Sequence, residues 1–148
     1  MLKIYLARHG QDVDNVKSIL NGQRNEPLSK KGWEQAKELS DKIFETKLTF
    51  THVYSSPLSR ALDTAKTITK KLNLPDPEVL DLLIERNFGT MTGKTHADII
   101  PLCSPNILKT DVVTYFLSPE GSETFPGLMT RARKLLDLIE EKHIDGNI

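Results

Sequence analysis

Ile4-Tyr5-Leu6-Ala7-Arg8-His9-Gly10 is the stretch that decides the fold. An apolar run stops abruptly at Arg-His-Gly, and a polar, turn-rich segment follows from Gln11 to Glu26. A short run of this kind reads as a buried strand whose C-terminal end opens into a loop. Open α/β sheets place their ligands beyond such strand ends. His9 stands there beside a fixed positive charge, and Gly10 lets the backbone turn tightly or approach a ligand. A nucleophile next to an anion clamp suits a phosphoryl-transfer site.

Outward from this stretch, strands and helices alternate. Pro27-Leu28-Ser29 opens a helix with Ser29 as N-cap, and Trp33, Ala36, Leu39, Ile43 and Phe44 recur at helical spacing on its inner face. Thr51–Tyr54 reads as a second short strand. It runs into Ser55-Ser56-Pro57, where Ser56 can cap a second helix and Pro57 suits its first position. Leu58, Ala61, Leu62, Ala65, Ile68 and Leu72 mark that helix's buried side, and Leu74-Pro75 stops it. A further apolar run covers Val79–Ile84. Pro101, Pro105 and Pro119 break residues 94–119 into one or two short helices expected to form a lid. A last helix starts near Glu123, with Phe125, Leu128, Ala132, Leu135, Leu136 and Ile139 inward. Gly146 terminates it, and Ile148 looks like the start of another strand. The alternation predicts an α/β fold with a mainly parallel sheet.

Composition narrows the function. The 148 residues suit one domain, 1–148, and twenty Lys plus Arg balance twenty Asp plus Glu. A net charge of zero provides no field toward nucleic acid or a membrane surface. Cys103 is the single cysteine, which excludes an internal disulfide and a cysteine-based zinc cluster. The N-terminus enters the first strand with no signal peptide, and no apolar run approaches the ~20 residues of a membrane helix. A cytoplasmic location is expected.

Arg8 with His9, Arg60 and Glu85 all fall at or just beyond apolar segments. Singly, each has an ordinary reading as a surface or solvated group. Together they fit phosphoryl transfer. Arg8 and Arg60 can hold phosphate oxygens by paired hydrogen bonds, and His9 can attack phosphorus through a ring nitrogen. Glu85 can protonate the leaving oxygen where burial or the incoming phosphate keeps it protonated. Guanidinium groups supply the positive charge, so no metal and no cofactor is expected.

These motifs carry a resemblance. Leu6–Gly10 with Asn15, then Asn21-Gly22-Gln23 and Pro27-Leu28-Ser29 ahead of Gly32, resembles the histidine phosphatase superfamily, also called phosphoglycerate-mutase-like. Val53–Ala61 is similar to its second block, Leu83–Gly89 with Gly93-Lys94 to its acid block, and Gly121–Phe125 with Arg131 to the block opening its late helix. The resemblance implies a three-layer α/β/α fold with the site at the C-terminal edge of a mostly parallel sheet. It implies His9 as the phosphorylated histidine, Arg8 and Arg60 as the clamp, and Glu85 as proton donor and then base for water. Asn15, Asn21, Gly22 and Gln23 would line the pocket.

Three departures stand out. Gln11-Asp12 occupies the place of the family's Glu-Thr or Glu-Ser. Gly-Ser-Glu replaces Gly-Glu-Ser or Gly-Glu-Thr, which leaves Glu123 the role of favouring a helix N-terminus. The family's second histidine, in a Ser-His-Gly or Thr-His-Gly segment ending the strand after the late helix, has no counterpart among His52, His96 and His143. The expectation is a C-terminally incomplete domain. The resemblance implies a longer insertion in cofactor-dependent mutases than the short stretch between Glu85 and Gly121, and hence a phosphatase acting on small, sugar-phosphate-like monoesters rather than a phosphoglycerate mutase. Gly22-Gln23, Phe50-Thr51-His52 and Gly93-Lys94 are similar to the fructose-bisphosphatase branch. A truncated, inactive form with a binding or structural role is the non-enzymatic alternative, and a homodimer is the assembly that would supply a partner strand. The expected partner is otherwise a small phosphorylated metabolite, with no nucleic acid and no membrane.

Overall fold

Parallel pairing, expected from the strand–helix alternation, is what the backbone shows in a computed structural model that describes all 148 residues. In chain order the elements are β1 (Leu2–Lys3), α1 (Val13–Val16), α2 (Lys30–Glu45), β2 (Tyr54–Ser55), α3 (Ser59–Leu72), β3 (Glu78–Val79), α4 (Ile99–Cys103), β4 (Ile107–Lys109), β5 (Thr114–Phe116), α5 (Phe125–Lys142) and β6 (Gly146–Asn147). Short 3₁₀ turns occupy Asp81–Leu83, Gly89–Met91 and His96–Asp98. β1 pairs with β6 and β2 with β3, both parallel, while β4 and β5 form an antiparallel hairpin. A parallel bridge from Phe50 to Asn147 places β6 between β1 and the chain leading into β2. The chain has an α/β fold, and no helix is long and apolar enough to cross a membrane.

The structure shortens the expected strands. Residues 4–10 do not form a buried strand: Ile4 and Tyr5 are partly exposed and Leu6 is 92% exposed. The reason lies in the ladder. Tyr5 N–H still donates to Ile148 O at 2.8 Å, and beyond it residues 6–9 run on without backbone pairing. They border a cavity of about 480 Å³, lined by Leu39 and Ile43 of α2, Ala65 and Ile68 of α3, and Leu135 and Ile139 of α5. The helices thus turn their apolar stripes toward the space beside β1. The run 79–84 likewise leaves the sheet after Val79 and turns into 3₁₀ geometry.

Several boundaries move for local reasons. Ser29 caps α2 as expected, accepting from Gly32 N–H. Trp33 and Phe44 lie on that helix's exposed border rather than its inner face, and Phe44 lies under the ammonium groups of Lys47 and Lys71. α3 begins at Ser59, not Pro57, with Leu58 as an N-cap lacking a side-chain bond. Asn25 does the capping from a distant loop: its Oδ1 accepts from Ser59 N–H at 2.7 Å. α5 is capped by Thr124 and ends at Lys142 with His143 as C-cap. Gly146 does not terminate it but sits in β6 at φ +103°. Residues 94–119 contain the β4–β5 hairpin as well as the expected short helix. Their buried side chains, Ile99, Cys103 and Phe116, gather with Met91 of the preceding 3₁₀ turn around Leu20 in a small core.

Candidate active site

Two glycines set the position of His9. A Cβ on Gly10 would lie 2.2 Å from Gly32 O, and one on Gly32 would lie 2.0 Å from Gln11 O. Only backbone without side chains permits this interlock of the segment after β1 with the first turn of α2. Gly10 N–H donates to Thr64 Oγ1 at 3.2 Å, which ties the same point to α3. Arg60 lies one turn earlier on that helix, so it shares a face with Thr64 and meets the histidine.

The tautomer of His9 follows from its partners. Nδ1 lies 2.7 Å from Gly10 O, a pure acceptor, so Nδ1 carries the hydrogen. Nε2 is left with its lone pair, and Arg60 Nε donates to it at 3.3 Å. Burial lowers the His9 pKa from 6.5, as do Arg60 and Arg8; the Gly10 carbonyl and Asp12 pull the other way. The neutral, nucleophilic ring therefore persists to lower pH than an ordinary imidazole.

A stability signature goes with this. At pH above 6.5 both folded and unfolded His9 are neutral, and nothing is lost. As pH falls below that value the unfolded chain takes up a proton that the folded site resists, so stability drops until the folded ring also titrates. Replacing His9 with Gln should flatten this part of the stability-versus-pH curve. Denaturation midpoints between pH 7 and 5 check it, and a curve unchanged by the substitution counts against a buried neutral ring.

Arg60 is almost completely buried, at 1% exposure, yet every part of its fork is engaged. Nη1 donates to Arg24 O and Nη2 to Gly22 O, both at 2.8 Å, and Nε faces Asp12 Oδ2 at 3.4 Å as well as His9. Burial lowers its pKa from the usual arginine value against the pull of Asp12, Glu85 and Asp14. Asp12, fully buried, is the residue sequence reasoning passed over. Its Oδ1 accepts from Asn15 N–H at 2.7 Å and its Oδ2 from Asn21 Nδ2, while Asn15 Oδ1 returns a bond to Asp12 N–H. The visible signal was a carboxylate three residues after His9 of the Arg-His pair, where the resembled family carries a hydroxyl.

The remaining sequence-nominated residues take distinct places. Arg8 is exposed and borders cavities on both sides of His9. One is the apolar cavity already described, which His9 shares with Arg60 and Glu85. The other, about 550 Å³, joins His9 and Arg8 with Gln11, Asn15, Gln35 and His96. His96 thus reaches the surroundings of His9 from a part of the chain in which sequence alone gave it no place. Gly22 has φ +50°, and a Cβ there would press on the Phe88 ring at 3.0 Å. Gln23 donates to Glu85 O at 2.9 Å. Asn21, Gly22 and Gln23 therefore tie the loop to Asp12, Arg60 and Glu85 respectively. Glu85 is exposed, with Oε1 accepting from Arg86 N–H at 2.8 Å. His52 and His143 stack edge to face with centroids 4.4 Å apart, and His143 Nε2 lies 2.7 Å from Tyr54 Oη.

Glu123 has a firmer role than favouring a helix start. It precedes the N-cap and grips Arg131 through both carboxylate oxygens at 2.8 and 2.6 Å. That hydrogen bonding holds its carboxyl below the usual carboxylate range.

The chain is similar in sequence and fold to known proteins. A 2,3-bisphosphoglycerate-dependent phosphoglycerate mutase of Parvibaculum lavamentivorans is 29% identical over 141 residues, covering 94% of this chain and 66% of that protein. The solved structure of mycobacterial glucosyl-3-phosphoglycerate phosphatase Rv2419c is 27% identical with a TM-score of 0.75, covering 92% of this chain and 62% of that one. Phosphoglycerate mutase of Bacillus anthracis, at 23% identity and a TM-score of 0.81 over 99% of this chain and 72% of its own, shares the fold. The chain spans about two thirds or less of the length of the curated relatives it matches. The profile of the histidine phosphatase superfamily (branch 1) matches residues 4–148, and the chain belongs to that family.

Proposed function

We propose that the chain acts as a phosphatase of small, sugar-phosphate-like monoesters through a phosphohistidine on His9, in the cytoplasm. One observation carries the reading: a half-buried histidine whose Nδ1 is held by the Gly10 carbonyl and whose Nε2 lies 3.3 Å from a buried guanidinium. As Arg60 Nε turns its hydrogen to Asp12 Oδ2, 3.4 Å away, the freed Nε2 lone pair attacks phosphorus in line, the P–O bond to the leaving alcohol breaks, and Glu85 gives that oxygen its proton. Water then attacks the phosphohistidine, Glu85 takes the water's proton, and the N–P bond breaks to release phosphate. Arg60 and Arg8 offset charge on the equatorial oxygens throughout. Asn15, at the cavity beside His9, and the loop 21–23 shape the approach.

Glu85→Gln tests the acid. An alkyl phosphate needs a proton on its leaving oxygen, whereas nitrophenolate departs unaided, so kcat/KM, which excludes the later water step, should fall by roughly 10²-fold for glycerol phosphate and far less for nitrophenyl phosphate. Equal losses on both esters would remove Glu85 from the acid role.

The curated relatives' names favour a second reading, transfer of the phosphoryl group to another hydroxyl. Incubation with 3-phosphoglycerate and catalytic 2,3-bisphosphoglycerate separates the two. Appearance of 2-phosphoglycerate without stoichiometric phosphate release means a mutase, and net phosphate release means a phosphatase.

A further inference from the structure

We propose that Arg131 is a positioning residue which aims the Glu85 carboxyl at the leaving oxygen, acting through the backbone of residues 82–84; the proposal rests on the phosphatase reading above. The 3₁₀ turn Asp81–Leu83 uses the carbonyls of Leu80 and Asp81 for its own bonds, so those of Leu82 and Ile84 look elsewhere for donors. Arg131 Nη1 supplies both, at 2.8 and 2.7 Å. The other edge of the same guanidinium lies on the two oxygens of Glu123, and Glu123 N–H donates to Asn87 O at 3.0 Å. Glu85 is thus bracketed by bonds immediately before it, at Ile84, and two residues after it, at Asn87. From the opposite side Gln23 holds its own carbonyl.

This bracket needs a planar fork. Four acceptors, two carbonyls and two carboxylate oxygens, lie around one guanidinium, and a lysine ammonium cannot satisfy that arrangement even though it keeps the charge. The side chains of Arg131 and Glu123 are only 18% and 20% exposed, so solvent screens the pair less than it would a surface pair. A general acid displaced by about 1 Å can lose up to ~10²-fold in rate. Arg131 touches neither His9 nor the cavity beside it, so its effect on chemistry must pass through Glu85.

Arg131→Lys in the full chain tests this. The kcat/KM for glycerol phosphate should fall about tenfold and that for nitrophenyl phosphate less than about twofold. Added to Glu85→Gln it should cost nothing further, because the acid it aims is already gone. A second readout does not depend on turnover. Arg86 N–H donates to Glu85 Oε1, so its hydrogen exchange reports the pose of the carboxylate, and exchange should accelerate in Arg131→Lys. Equal losses on the two esters, additive losses in the double variant, or unchanged Arg86 exchange would each overturn the proposal. If the unsubstituted chain turns over neither ester while Arg86 exchange responds as expected, the phosphatase reading fails and the aiming role falls with it. That pattern differs from failure of the proposal alone, in which the unsubstituted chain is active.

Discussion

His9→Ala should abolish phosphoenzyme formation and lower turnover by roughly 10⁴-fold or more, the largest effect expected of any substitution in this chain. The size follows from the proposed chemistry. Removing an acid leaves the covalent path open at a slower rate, but removing the nucleophile closes it, and the residual rate is that of water attack aided by the two arginines. The loss should not come from unfolding. His9 makes one side-chain bond to its neighbour's carbonyl and one with Arg60, and the Gly10–Gly32 interlock that fixes this segment does not involve the ring. Trapping with radiolabelled phosphomonoester checks it: label on the native protein should be acid-labile and base-stable, as an N–P bond is, and absent from His9→Ala. Label retained in the variant would assign the nucleophile to another group.

Much of this site was readable because its signals were local. Gly10 beside an apolar run, Ser29 ahead of an amphipathic helix and Arg60 at the start of another each state their roles within a few residues. The parallel α/β pattern was equally legible, since period and punctuation carry it. What failed to show was long-range. Ser59 gave no sign that Asn25 would cap it, because the donor and acceptor meet only after the loop folds back. Asp12 read as a minor deviation, since burial of a carboxylate is a property of the assembled site and not of its neighbours in sequence. The exposure of Leu6 was invisible for the opposite reason: an apolar residue next to a strand reads as core, and only the extent of the β1–β6 ladder shows otherwise. The pairing of Glu123 stayed hidden because a charge near a helix start has a ready local explanation, whereas its partner Arg131 lies about two turns into the helix that Glu123 precedes.

Arg60→Met should destabilise the fold by about 3 kcal/mol or more, besides cutting kcat/KM by roughly 10³-fold through loss of the guanidinium proposed to offset phosphate charge beside His9. The stability term comes from Asp12. With the guanidinium gone, a carboxylate with no exposed surface keeps only neutral donors, the amide of Asn15 and the side chain of Asn21, and its charge has no buried partner. Breaking a buried pair from one side costs ~3–5 kcal/mol for this reason, and the two neutral donors argue for the lower end of that range. Gly22 O and Arg24 O also lose their donors, which loosens the loop that meets Glu85 through Gln23. The charge contribution can be separated from the rest by a cycle. Asp12→Asn keeps the shape and removes the charge, so Asp12→Asn with Arg60→Met should recover stability relative to Arg60→Met alone, while activity stays low. Urea midpoints for the four proteins measure this directly. If Arg60→Met shifts stability by less than ~1 kcal/mol, or if the double variant is less stable than Arg60→Met, Asp12 is not an uncompensated charge held in place by Arg60, and the guanidinium's burial must be maintained by the loop carbonyls instead.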